Sequence, residues 1–264
     1  MLPSLIYRTL ALSVACIGVL LPLASAEATG LPDTIDRIRP SIVGVGTFQY
    51  TRRPQSQFMG TGFVVADGRH ILTNAHVVPK RMDIDAENRE YLAIFTGRGN
   101  NAKSHPVKEI ARDEEHDISV LRLEEGKLPA MAFGADDSAR EGEEYAFTGY
   151  PIGMVIGLYP VTARGIISAI TPIIEPVYTS RQLNPALIRR LKDQYGVLQL
   201  DATAYPGNSG SPVYHPETGA VIGIINKVFV KETKEMVIEK PSGITYAIPI
   251  KFAKDLLRAN KIEY

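Results

Sequence analysis

The chain has a single cysteine, Cys16, set in an apolar stretch near the N-terminus. Once that stretch is removed no disulfide can form, and stability must come from an apolar core and hydrogen-bonded sheets. Net charge is lacking too, since 29 basic residues balance 29 acidic ones. Removal of residues 1–26 takes away one basic side chain, Arg8, so the balance stays within one unit of zero. Such a chain offers no case for nucleic acid or an anionic membrane surface as its main partner. The basic pairs Arg52-Arg53 and Arg189-Arg190 are isolated and suit loops or a solvated helix face. Long apolar runs are also missing. The stretch from about Leu10 to Leu23 is broken by Ser13, Gly18 and Pro22 and is short for a spanning helix. With Arg8 before it and Ala24-Ser25-Ala26 after it, this stretch has the form of a secretory signal over residues 1–26, cleaved before Glu27. It predicts a secreted or periplasmic protein with no stable membrane anchor after cleavage.

What is present points to one globular unit rich in strands. The 264 residues are 45% hydrophobic and 22% charged, with 22 glycines and 18 prolines to supply turns. That length is enough to bury a full core. A short helix is expected from about Pro32 to Ile38, ended by Arg39-Pro40. Runs of β-rich residues follow, among them Ser41 to Phe48, Glu144 to Thr148, Val161 to Ile170, Val197 to Leu200 and Val221 to Ile225. Their spacing suits an all-β fold of two packed barrels. The pattern breaks between residues 125 and 140, where the connection between barrels is expected. A helical pattern also runs from Asn184 to Gly196, with Leu187, Leu191 and Tyr195 four residues apart. It reads as a helix covering the second barrel or as a flap beside the substrate. A last helix is expected from Lys251 to about Asn260, packing Phe252 and Leu256 on the barrel.

The candidate chemistry sits in three short segments. In Pro206-Gly207-Asn208-Ser209-Gly210-Ser211, glycines flank a serine in a sharp turn. A serine hydroxyl is a weak nucleophile unless a base reaches it and backbone N–H groups meet the developing oxyanion. Taken alone, the hexapeptide is also a polar turn before a strand. His76 follows the apolar run Ile71-Leu72, which Asp67-Gly68 joins to Phe63-Val64-Val65 as a hairpin. Asp117 opens the apolar segment Ile118 to Leu123 and needs a partner if buried; an imidazole N–H would serve and would fix the tautomer of His76. His116, the competing base, reads as a surface residue.

The order His76, Asp117, Ser209 is the chain order of the chymotrypsin-like proteases. The local sequences resemble the HtrA, or Deg, branch of that family, whose signatures read TNxHVV, DxAxL and PGNSGGP. They correspond to Thr73–Val78, Asp117–Leu121 and Pro206–Pro212. Gly60-Thr61-Gly62-Phe63-Val64, Gly149-Tyr150-Pro151-Ile152-Gly153, Val221–Ile224 and Tyr246–Pro249 add to the resemblance. Ser211 departs from it, replacing a glycine. That serine also makes the nucleophile segment G-x-S-x-S rather than the G-x-S-x-G of α/β-hydrolases.

The resemblance implies a chymotrypsin-like fold of two six-stranded Greek-key barrels, in a protease domain over residues 27–264. It also implies a serine endopeptidase with His76 as base, Asp117 as orienting acid and Ser209 as nucleophile. Gly207, Asn208 and Ser209 are expected at the oxyanion hole, with no metal or cofactor. Protein or peptide substrates are the expected partners. The alternative is a chaperone-like binding protein on the same scaffold, without turnover. Thr203 stands where relatives that cleave after Arg or Lys keep an aspartate. With Ala204, Ile224, Ile225 and Tyr246 as pocket residues, neutral aliphatic side chains are expected before the cut. Many members carry PDZ domains after the protease; too few residues follow here for one, so a free-standing domain is expected. No specific feature supports a trimer. Ser41-Ile42-Val43-Gly44 resembles an N-terminus exposed by activating cleavage, but Asn208 cannot form the ion pair such a terminus needs.

Overall fold

The computed structural model describes residues 30–82, 89–151, 157–172, 195–226 and 243–264. The first barrel comprises β1 (Ile42–Phe48), β2 (Ser56–Val65), β3 (His70–Thr73), β4 (Tyr91–Thr96), β5 (Lys103–Asp113) and β6 (Ile118–Leu123). The second comprises β7 (Glu144–Gly149), β8 (Val161–Pro172), β9 (Gly196–Asp201), β10 (Pro212–Tyr214), β11 (Val221–Asn226) and β12 (Ile244–Pro249). Both are closed and antiparallel, and both wind alike: first, second, third, sixth, fifth and fourth strand, with the fourth returning to the first. This is the expected pair of six-stranded Greek-key barrels in the chymotrypsin-like fold. Closure leaves no edge strand in either barrel among the described residues.

Local chemistry explains the first hairpin. Gly68 takes a positive φ of 84° and donates its N–H to Val65 O at 3.1 Å, while Asp67 Oδ1 accepts from Arg69 N at 2.9 Å. The turn sets the register Phe63 opposite Leu72 and Val65 opposite His70, which delivers β3 and the segment after it to one end of the barrel.

Apolar residues divide into three clusters. Val45, Ile71, Ile94 and Leu121 fill the first barrel, and Phe147, Ile167, Leu200 and Val213 the second. A third cluster lies between the barrels and joins Phe63, Leu72 and Val120 of the first to Tyr214, Ile224 and Ile248 of the second. Burial pushes the Tyr150 phenol up to about 12, and its hydroxyl donates to Ile42 O at 3.1 Å. The barrels are therefore held as one body around any cleft between them.

Two helices strap the pair. Helix α1 (Leu31–Ile38) docks on the second barrel, where Thr34 Oγ1 donates to Glu217 O at 2.7 Å. Helix α2 (Ile250–Ala259) buries Ile250, Ala253 and Leu257. Phe252 and Leu256, expected to pack on the barrel, lie half-buried against the same core. The connection between barrels, residues 124–143, is pinned by Lys254 Nζ, which donates to Gly134 O at 2.7 Å and Asp136 Oδ1 at 2.5 Å. Among the described residues no helix is long and apolar enough to cross a membrane. The expected signal over 1–26 and nearly all of the helical pattern at 184–196 lie outside the described residues. Gly196, read as the stop of that pattern, is the first residue of β9.

Candidate active site

His76 lies in a 3-10 turn (Ala75–Val77) directly after β3, with its ring exposed. Asp117 sits just before β6, the neighbour of β3 in the barrel. Its backbone takes a left-handed φ of 53°, an uncommon conformation that short polar side chains tolerate best. The twist turns the carboxylate under the histidine. Asp117 Oδ1 accepts from His76 N at 2.8 Å, and Oδ2 pairs with His76 Nδ1 at 2.5 Å. The Asp117 carbonyl accepts from Ala75 N and from Asn74 Nδ2, both at 3.1 Å. Since a carboxylate can only accept here, Nδ1 must carry the proton and Nε2 is left free.

Two further residues support this pair. Asn226, buried at the end of β11, donates from Nδ2 to Asp117 Oδ2 at 2.9 Å, so the second barrel holds the first barrel's acid. Arg112 Nη1 donates to Ala75 O and Nη2 to Val78 O, each at 3.1 Å, which braces the turn on both sides of His76. Glu109 holds that guanidinium at 2.7 Å. Neither residue stands out in the sequence. The available signals are a polar residue closing the apolar run of β11 and an inward-pointing arginine in β5. Arg112→Ala should lower stability by about 1.5–3 kcal/mol, the worth of charged hydrogen bonds, with Arg112→Lys losing less; urea unfolding measures both.

His116 corrects an expectation. It is half-buried, stacked on Phe252 at 3.9 Å between ring centroids, with Nδ1 paired to Asp113 Oδ2 at 2.6 Å. Burial raises the Asp113 carboxyl, but the hydrogen bonds from the His116 ring and backbone outweigh it and hold the group below its usual range. This ring is committed to Phe252 and Asp113.

Ser209 occupies the tight loop before β10 and is 7% exposed. Gly207 and Gly210 take positive φ values of 99° and 87°. A Cβ at Gly210 would lie 2.0 Å from Thr61 O, so the loop presses on β2 as only glycine allows. The N–H groups of the loop divide sharply. Asn208 N donates to Tyr205 O at 3.0 Å, Gly210 N to Ile225 O at 2.9 Å, and Ser211 N to Asn208 O at 3.0 Å. Those of Gly207 and Ser209 have no partner among the described residues. Asn208, expected beside them as an oxyanion donor, spends its N–H inside the turn. The Ser209 hydroxyl also makes no hydrogen bond to a described residue. Ser211, the departure from the family pattern, is fully buried; a Cβ at Gly149 would lie 2.0 Å from its Oγ, so that glycine makes room for the added hydroxyl.

The expected pocket residues separate. Ile224 and Ile225 are adjacent in β11 and face opposite ways. Ile224 packs between the barrels, whereas Ile225 shares the second barrel's apolar cluster with Ala202 and Ala204. The two isoleucines thus join different apolar clusters. Thr203 and Tyr246 are half-buried.

Comparison with known proteins bears on the family and the fold. Residues 60–224 match the model of the trypsin-like peptidase domain. Over 198 residues the chain is 30% identical to a probable periplasmic serine endoprotease, DegP-like, of Halomonas elongata, covering 75% of this chain and 34% of that one. A protein of the same description from Hahella chejuensis is 32% identical over 214 residues, covering 80% and 38%. The chain thus spans little more than a third of the length of these relatives. Among solved structures, the serine endoprotease of Yersinia pestis superposes with a TM-score of 0.60 at 23% identity, covering 88% of this chain and 66% of that one. The HtrA-type protease AlgW with tripeptide gives 0.60 at 23%, covering 87% and 62%.

Proposed function

We propose that this chain, which belongs to the trypsin-like peptidase family, is a serine endopeptidase that cleaves proteins or peptides through an acyl-enzyme. His76 Nε2 takes the proton of Ser209 as Oγ attacks the carbonyl carbon, and later gives it to the leaving amine. Asp117 keeps the imidazole in the required tautomer and stabilises its charged form. The oxyanion is met by the N–H groups of Gly207 and Ser209. The observation that carries this reading is the pattern of commitment in the nucleophile loop: of its N–H groups, only those of Gly207 and Ser209 lack a partner among the described residues, while the Asp117 pairing leaves His76 Nε2 free to accept a proton. The test is covalent labelling of Ser209 by a fluorophosphonate together with turnover of an unfolded protein. A chain that binds such substrates but neither labels nor cleaves them is the chaperone-like alternative.

The location proposed is periplasmic or secreted, after removal of residues 1–26; the similarity to DegP-like proteases described as periplasmic supports it. For specificity, Thr203 brings no charge where a cationic side chain would need one, and Ala204 and Ile225 share an apolar cluster. Cleavage after neutral, small to medium aliphatic residues is expected. Profiling on a peptide library checks it, and a preference for Arg, Lys or Asp at that position would overturn it.

No second cut is needed in this reading. Ile42 is buried and paired with Phe63, and its carbonyl accepts from Tyr150, so a new terminus there would first have to leave β1. Mass spectrometry of the active enzyme should find a species starting at Glu27. An active form starting at Ile42, with the longer form inert, would count against it.

A further inference from the structure

We infer that Thr61, in β2 of the first barrel, is a positioning residue that holds the oxyanion-binding loop of the second barrel in its working shape. Its backbone N–H donates to Ser209 O at 2.8 Å and its hydroxyl donates to Gly207 O at 2.7 Å. One fully buried residue therefore grips the carbonyls of both residues whose N–H groups stay free. A peptide is planar, so fixing its oxygen fixes its N–H as well. The Gly207–Asn208 peptide is held at both ends, by Thr61 Oγ1 at the oxygen and by Tyr205 O at the N–H. The Ser209–Gly210 peptide is held likewise, by Thr61 N at the oxygen and Ile225 O at the N–H. The peptides that carry the Gly207 and Ser209 N–H groups alternate with these two, and their directions follow from them.

Thr61 is itself fixed. Its hydroxyl accepts from Tyr150 N at 3.0 Å, and its carbonyl accepts from Thr73 Oγ1 at 2.7 Å, a bond buried from solvent. Thr73 ends β3, three residues before His76. A continuous run of hydrogen bonds thus links the strand that delivers the base to the loop that delivers the nucleophile. Glycine at 207 makes such a clamp necessary, because without a Cβ its peptide can rotate between orientations at little steric cost. A β-branched residue suits the clamp, because its hydroxyl has few rotamers to lose.

This rests on Ser209 as the nucleophile, and the experiment separates the two claims. Thr61→Val, Thr61→Ala and Thr61→Ser are assayed on a peptide substrate, alongside affinity for a peptide boronate that places an oxygen in the oxyanion position. Thr61→Val should lower kcat by about 10²–10³-fold, the cost of one oxyanion donor, with KM within about threefold of the parent. Boronate affinity should fall with kcat, which a general loosening of the fold would not single out. Thr61→Ser, which restores the hydroxyl, should keep kcat within about fivefold of the parent. If the valine variant does not fold, the serine and alanine variants, differing by one oxygen atom, give the same contrast. A kcat for Thr61→Val within about threefold of the parent, or equal losses in the serine and alanine variants, would overturn the inference. Should the parent itself show no Ser209-dependent hydrolysis, the functional reading fails. Crystal structures of the parent and Thr61→Ala then decide: a rotated Gly207 peptide in the variant supports the clamp, and an unchanged one removes it.

Discussion

Ser209→Ala should reduce peptide hydrolysis by about 10⁶-fold, and His76→Ala by a similar factor, since each removes a partner from one proton-transfer and bond-making step. The fold should survive both. The Ser209 hydroxyl makes no hydrogen bond to a described residue, and the loop is held through its backbone by Thr61 and Ile225, so truncation orphans nothing. His76 projects an exposed ring whose loss opens no cavity. The double variant should be no slower than either single one, because half of the pair is worth little without the other. Turnover under saturating substrate, with thermal unfolding as the control, measures this. Activity surviving in Ser209→Ala would move the nucleophile elsewhere.

The second large effect is Asp117→Asn, for which a loss of about 10⁴-fold in kcat is expected. The three bonds received by the carboxylate decide it. Oδ1 accepts from His76 N, while Oδ2 accepts from His76 Nδ1 and Asn226 Nδ2. Every partner is a donor, so an amide NH₂ in either orientation meets a donor. Placed at Oδ2, it opposes two of them and forces the imidazole proton to Nε2, where it blocks acceptance of the serine proton. Placed at Oδ1, it orphans the His76 N–H and strips the charge that stabilises the imidazolium. The backbone is not the cause, because asparagine tolerates the left-handed φ of 53° about as well as aspartate. A fall in kcat with an unchanged unfolding midpoint fits this account. A fall explained by unfolding alone would assign Asp117 a structural role only.

Much of the site was legible because its chemistry is local. A glycine on each side of a serine, an aspartate-glycine turn before His76, and an acid opening an apolar strand are short-range signals that need no tertiary contact. The all-β class and the strand positions were legible for the same reason, since alternation and turn residues act within a few positions. The limits of that reading are equally physical. Asn226 meets Asp117 across 109 residues, and Thr61 meets Gly207 across 146; nothing near either member of these pairs announces the other. His116 read as exposed because its stacking partner, Phe252, comes from the last helix. Ile224 and Ile225, read together as pocket residues, join different clusters because neighbours along a strand face opposite ways.

By itself, the sequence determined the class of fold, the three short segments that carry the candidate base, acid and nucleophile, and the glycines those segments demand. These follow from bonds and dihedral preferences that span a few residues. Only the tertiary structure decided that two barrels with the same strand order, each with its own core, pack on a third cluster between them, and that a threonine and an asparagine from opposite barrels hold the candidate site across their junction. It also decided that, in the loop around Ser209, the N–H groups of Gly207 and Ser209 meet no acceptor among the described residues. Which donor is free depends on every acceptor the folded chain brings within about 3 Å, and that is settled only when distant segments have packed.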